Sequence, residues 1–195
     1  AGAALAAEFS TGYESKGGSI SYSLLKVTPR SGCRITSNVI SVTSTTGQIR
    51  VLRGIDFETC PEYTLSIRAA WSKASTSNDH LTCSVALKVA DKNEKPSITR
   101  CSALSIDEGS PVDTAVGTAL QSTDPDRGQS PQWTFDTTAS LPFKIQKCSG
   151  QVFVSGTVNY KTKSSYTIPV KLTDDGVPPL SDTCTLRITV NDVSE

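Results

Sequence analysis

Asp91-Lys92-Asn93-Glu94-Lys95-Pro96 lies almost halfway along the 195-residue chain. It is rich in charge, with Asp91 and Glu94 each followed directly by a lysine, it ends in proline, and it follows a run in which Cys83, Val85, Leu87 and Val89 alternate with other residues. Alternation of this kind marks a strand with one buried face, and a proline after charged residues marks its end. The stretch therefore reads as a linker, and the segments on its two sides read as copies of each other. Gly47–Trp71 aligns with Gly150–Asp174 without a gap. Gly47-Gln48-Ile49-Arg50-Val51 matches Gly150-Gln151-Val152-Phe153-Val154, and Tyr63-Thr64-Leu65-Ser66-Ile67 matches Tyr166-Thr167-Ile168-Pro169-Val170. Each copy then places a cysteine eight residues before an aspartate, Cys83 to Asp91 and Cys184 to Asp192. A repeat of about 100 residues means two copies of one domain, because solenoid units are much shorter.

Short alternating runs fill both copies. Ile20, Tyr22 and Leu24 alternate with serines, and Leu186, Ile188 and Val190 alternate with polar residues. Gly, Pro, Ser and Asp separate the runs, and no stretch carries a helical period. Several antiparallel strands in about 100 residues make a β-sandwich. The predicted fold is all-β: two tandem antiparallel Greek-key β-sandwiches of immunoglobulin-like topology, arranged end to end, over residues 1–94 and 95–195.

Composition narrows the function. Hydrophobic residues make up 36% of the chain and its formal net charge is zero, which fits a folded globular chain and argues against nucleic-acid binding. No apolar run approaches the ~20 residues of a membrane span. Ala1–Ala7 lack the basic flank of a signal peptide, and the chain contains no methionine. It is read as part of a longer, membrane-anchored protein whose signal and anchor lie elsewhere. Its 6 cysteines are not spaced as zinc pairs, so an oxidising, extracellular setting explains them better. Catalysis is not expected: His80, the only histidine, stands in a polar loop without a nucleophile-elbow pattern.

The second copy resembles a cadherin repeat over nearly its whole length. Ile106-Asp107-Glu108-Gly109 stands where that family has Pro-Glu-Asn, and Val116-Gly117-Thr118 follows. Thr123-Asp124-Pro125-Asp126-Arg127-Gly128 matches the family's Asp-x-Asp turn. Leu172-Thr173-Asp174-Asp175-Gly176 and Pro178-Pro179-Leu180-Ser181 match its Ala-x-Asp-x-Gly and Pro-Pro-Leu-Ser. In the first copy Ile55-Asp56-Phe57-Glu58 replaces Leu-Asp-Arg-Glu. The resemblance implies a calcium-binding linker. Asp56 and Glu58 would hold ions on the first-domain side, and Asp91, Asn93 and Glu94 would bridge them. Asp124, Asp126 and Asp174 would complete the second-domain side, with backbone carbonyls of Lys92, Lys95 and Ser130. The residue types suit the ion, since calcium takes about six to eight oxygen ligands and carboxylates packed without a cation repel.

The pattern also departs from the family. The linker is one residue short, and Ser130 replaces an asparagine. At the far end of the first copy, Glu8-Phe9-Ser10-Thr11 replaces Asp-x-Asp and Trp71 stands in place of an aspartate. At the far end of the second, Asn159 and Lys161 replace Asp56 and Glu58. The outer end of the first copy is not expected to hold calcium, and that of the second, with Asp192 and Glu195, is expected to be a weakened or metal-free junction. Among the cysteines the resemblance favours Cys33–Cys60 in the first domain and Cys101–Cys184 in the second, with Cys83 unpaired or bonded elsewhere.

The implied function is a calcium-rigidified ectodomain segment serving cell adhesion or cell-surface interaction, its partner being another cell-surface or matrix protein. No tryptophan precedes Trp71, so nothing marks a strand-swapping homophilic contact, and heterophilic binding stays equally open. The competing reading is a divergent, largely calcium-independent sandwich. It would act as a structural spacer, a receptor or matrix fragment, or a carbohydrate-binding accessory domain.

Overall fold

The computed structural model describes residues 19–34, 38–72 and 78–193. Ala1–Ala7, Glu8–Thr11 and Glu195 lie outside them. All regular elements among the described residues are strands. The chain divides into two compact units between Lys92 and Asn93, two residues before the boundary drawn from sequence. The reason is local: Asn93 and Glu94 both hydrogen-bond within the second unit.

The first unit contains β1 (Ser19–Pro29), β2 (Ile40–Val42), β3 (Ile49–Val51), β4 (Glu62–Ser72) and β5 (Asn78–Lys88). β4 is the middle strand of an antiparallel sheet ordered β1-β4-β5, and β2 pairs with β3. Alternation does what the sequence suggests. Tyr63, Leu65 and Ile67 of β4 are buried, while Thr64 between them is exposed. With Val39, Ile40, Ile49, Cys60 and Leu87 they form the core. β1 breaks strict alternation with a bulge. Leu24 pairs with Ile67 and Lys26 with Ser66, so Leu25 is the extra residue and is left exposed. The insertion lets both Leu24 and Val27 pack against the core, as a bulge must if one strand carries an additional residue.

The second unit contains β6 (Ser97–Arg100), β7 (Leu104–Asp107), β8 (Ala115–Val116), β9 (Gln121–Thr123), β10 (Gln132–Phe135), β11 (Phe143–Ile145), β12 (Val152–Val154), β13 (Ser165–Thr173) and β14 (Ser181–Asn191). One sheet is ordered β10-β13-β14-β7, a second β11-β12-β8, and β6 pairs with β9. The ladders are antiparallel except β7–β14, which is parallel. Tyr166, Ile168, Val170 and Leu172 of β13 and Leu186, Ile188 and Val190 of β14 point into one core with Trp133, Val152 and Val154. Truncating such a side chain to alanine typically costs ~2–5 kcal/mol. Phe143 meets Tyr166 edge to face, and the Lys163 ammonium lies over the Tyr166 ring.

Two disulfides join residues far apart in sequence. Cys33–Cys60 links the segment after β1 to the segment before β4, with Cα atoms 5.3 Å apart. Cys101–Cys184 links the segment after β6 to β14, at 6.5 Å. Cys83 is a half-buried thiol directed at the Ile67 carbonyl, and Cys148 is an exposed one.

Candidate functional site

In the first unit the acidic residues sit on a turn before β4 and just after β5. Asp56 caps that turn: its Oδ2 accepts the Thr59 hydroxyl at 2.6 Å and the Thr59 N–H at 3.1 Å. The Thr59 hydroxyl, and next Glu58, hold the Asp56 carboxyl below its ordinary range. Glu58 is half-buried, and one of its carboxylate oxygens lies within 4.8 Å of one from Asp91. Two acids at that separation repel unless a cation or proton lies with them. Lys92 is exposed.

In the second unit the acids stand at the start of the chain segment, in the loop after β9, and in the loop after β13. Asp126 and Asp174 are the buried charged residues of the described chain, at 7% and 5% exposure. Asp126 Oδ2 accepts the Glu94 N–H at 2.8 Å. Asp124 Oδ1 accepts the Asp126 N–H at 3.0 Å. Asp174 Oδ1 accepts the N–H groups of Gly176 and Leu180, and its Oδ2 accepts the Asn93 amide at 3.3 Å. Asp175 accepts the Ser130 N–H. Lys95 turns its ammonium to Asp182 at 2.9 Å.

Asp124 is the member left short. Its Oδ2 is buried and has no donor among the described residues. Burial pushes the Asp124 carboxyl above its ordinary range, and the charges of Asp126, Asp174 and Asp175 push it further, against the pull of the Asp126 N–H. A buried, unpartnered carboxylate oxygen among three other acids calls for a cation. The donors are all oxygens, which suits a hard divalent ion such as calcium and excludes a thiolate or imidazole metal.

Gln129, Asp175, Gly176 and Asp182 belong to the same neighbourhood, though the sequence pattern did not mark them as site residues. At the opposite end of this unit Glu108 is committed to the backbone. Its oxygens accept the N–H groups of Tyr160 and Val193, both at 3.1 Å. The Val193 N–H, then the Tyr160 N–H, hold it below the ordinary range, with Lys161 adding to them. Asn159 spends its Oδ1 on Thr162.

Comparison with known proteins meets this geometry directly. The Cadherin domain family matches residues 102–191. The chain is a tandem pair of cadherin-like domains. Protocadherin gamma-A7 of Homo sapiens is 28% identical over 189 residues, covering 93% of this chain and 19% of the relative. Cadherin EGF LAG seven-pass G-type receptor 3 of Mus musculus is 31% identical over 162 residues, covering 80% of this chain and 5% of the relative. The cadherin-like pair thus spans a small part of the curated relatives it matches. Among solved structures, human CDH23 EC21-23 superposes with a TM-score of 0.79 at 18% identity, covering 99% of this chain and 70% of that one. Mouse Cadherin-23 EC22-24 gives 0.70 at 24% identity, covering 89% and 53%. At these identities the structures establish the fold. The chain's two disulfides suit an oxidising setting. No helix among the described residues is long and apolar enough to cross a membrane.

Proposed function

We propose that the cadherin-like pair is a segment of a cell-adhesion or cell-surface ectodomain, and that calcium bound at its linker stiffens it. Asp124 carries this reading: a half-buried carboxylate with one buried, unsatisfied oxygen, crowded by three further acids. Asp124, Asp126, Asn93 and Glu94 from the second domain, with Glu58 and Asp91 from the first, are the side chains proposed to hold the ion. Asp56 and Asp174 stand behind them, since their oxygens already serve turn donors. The backbone carbonyls of Lys92, Lys95 and Ser130 complete the proposed set.

Calcium, when bound, supplies positive charge that turns mutual repulsion of these carboxylates into attraction. The protein's own residues fix where that charge is wanted: the Asp126 N–H orients Asp124, and the Glu94 N–H orients Asp126. Extracellular calcium modules bind with constants of about 10⁻⁴–10⁻³ M. At ten times such a constant one ion stabilises the bound form by about 1.4 kcal/mol, which makes stiffness responsive to extracellular calcium. The stiffened pair then presents its surfaces to another cell-surface or matrix protein. Isothermal titration with calcium tests the reading. Heat from saturable binding in that range supports it, and a chain that takes up no calcium at several millimolar ends it.

A further inference from the structure

The Asn93 side chain makes three hydrogen bonds, and none of them needs a metal. Its Nδ2 donates to the Pro178 carbonyl at 2.8 Å and to Asp174 Oδ2 at 3.3 Å. Its Oδ1 accepts from Gln129 Nε2 at 2.6 Å. An amide has two donor hydrogens and one acceptor oxygen, so these contacts occupy the group on both sides. The assignment of oxygen and nitrogen is fixed by the partners, because only a nitrogen can face the Pro178 carbonyl and Asp174.

The same side chain lies against Gly176. A Cβ placed there would come within 1.8 Å of Asn93 Oδ1 and 2.2 Å of its Cγ. The loop after β13 therefore leaves a gap that the Asn93 amide fills, and any other residue at position 176 would displace it. All of the partners belong to the second unit, as does Asn93. Beside this contact the Glu94 N–H is held by Asp126, the Ile98 N–H by Asp182 Oδ2, and the Lys95 ammonium by Asp182 Oδ1.

We propose that Asn93 is a metal-independent latch that docks the linker on the second domain, and that Gln129 is the residue that positions it. The Asn93 oxygen accepts from Gln129 with one of its two lone pairs, so this docking needs no ion and leaves the oxygen able to face one. The linker stays anchored to the second domain at low calcium. This goes beyond the calcium reading and stands if that reading fails, because the latch operates in chelator.

The test is amide hydrogen exchange of residues 93–98 in the 195-residue chain, first in chelator and then with calcium. Asn93→Ala is expected to speed exchange of the Glu94 amide about tenfold in chelator, the loss of roughly one to two hydrogen bonds. Gly176→Ala is expected to act likewise by expelling the amide. Gln129→Glu keeps the shape but removes the donor, and should also raise exchange. Once Asn93 is alanine, Gln129→Glu should add little, since interacting residues are not additive. A Gln129→Glu effect that persists undiminished on the Asn93→Ala background would overturn the positioning role. Unchanged exchange of Asn93→Ala in chelator would overturn the latch, whatever happens to its calcium binding.

Discussion

The Glu94 backbone nitrogen lies 2.8 Å from Asp126 Oδ2, so one linker amide is fixed by the carboxylate proposed to hold calcium. The contact makes Asp126 serve twice, as an acceptor and as a ligand. Asp126→Ala removes both. Wild-type protein is expected to melt about 5–10 °C higher in millimolar calcium than in chelator, the shift that ~1.4 kcal/mol produces in a domain of this size. In the variant that difference disappears, and the melting temperature in chelator falls as well. Scanning calorimetry of both proteins checks it, and a variant that keeps the full calcium shift refutes the assignment.

Asp124 gives a prediction of the opposite sign. Its folded-state pKa is raised, by burial first and then by Asp126, Asp174 and Asp175. The stability linked to it is therefore fully present below the unfolded carboxyl value near 4 and lost as pH rises through the raised one. In calcium-free buffer at neutral pH, Asp124→Asn should raise the melting temperature by a few degrees, because asparagine can still accept the Asp126 N–H without carrying charge. The gain should shrink as pH falls through the raised value of Asp124, where the wild-type carboxyl takes up its own proton. With calcium present the ordering should reverse. A melting series across pH, with and without calcium, shows whether the signs hold.

Asp182 titrates the other way. The Ile98 N–H, then the Lys95 ammonium, hold its pKa below the ordinary range. Ionised Asp182 therefore stabilises the fold above the unfolded value near 4, and that contribution fades as pH falls through the folded value. Asp182→Ala is expected to cost about 1 kcal/mol at pH 7, mostly the charge-assisted bond to the Ile98 N–H, since the Lys95 end is open to solvent. The two proteins should converge in stability once pH has fallen through that lowered value. Equal stability at pH 7 would remove Asp182 from the account of linker anchoring.

These acids show how far sequence reaches. Alternation along Tyr63, Leu65 and Ile67, and along Leu186, Ile188 and Val190, gives strand and buried face together, because the period of two is a local property. Asp124, Asp126 and Asp174 were legible because turn chemistry keeps them in short motifs. Gln129, Pro178 and Asp182 were not. Each meets Asn93, Lys95 or Ile98 across 36 to 87 residues of chain, and nothing in their immediate neighbours marks that encounter. The parallel β7–β14 ladder was hidden for a similar reason. Leu104 and Ile106 alternate alike whichever direction their partner runs. The bulge at Leu25 follows from the need to seat Leu24 and Val27 on one face, and only the pairing register reveals it.

The cysteines divide into two bonded pairs and two thiols. Alkylation of the folded, non-reduced chain followed by peptide mass analysis should find Cys148 labelled first, since it is exposed, and half-buried Cys83 much more slowly. Cys33, Cys60, Cys101 and Cys184 should label only after reduction. In the loop-closure account the 27-residue and 83-residue separations give upper values of about 3.5 and 4.5 kcal/mol. Reduction is therefore expected to lower the stability of each domain by 2 kcal/mol or more. Prompt labelling of Cys33 or Cys101 without reductant contradicts the pairing.

Gly47 and Gly150 hold matching places in the two copies, and both have positive φ, 70° and 67°. Each also lies beneath an aromatic ring. A Cβ at Gly47 would come 3.2 Å from Tyr22, and one at Gly150 would come 3.0 Å from Trp133 and 3.1 Å from the Leu120 carbonyl oxygen. Any L side chain there faces two penalties, the left-handed backbone and the contact. The ring at position 22 belongs to a half-buried residue with room to shift, whereas Trp133 is locked in the core at 3% exposure. Gly47→Ala is therefore expected to cost about 1 kcal/mol, close to the conformational penalty alone. Gly150→Ala should cost about 2–3 kcal/mol, because a packed indole and a backbone oxygen cannot both move aside. Denaturant unfolding of the two variants, followed by tryptophan fluorescence, separates the effects. A Gly150→Ala protein as stable as wild type would show that Trp133 does not close over that turn.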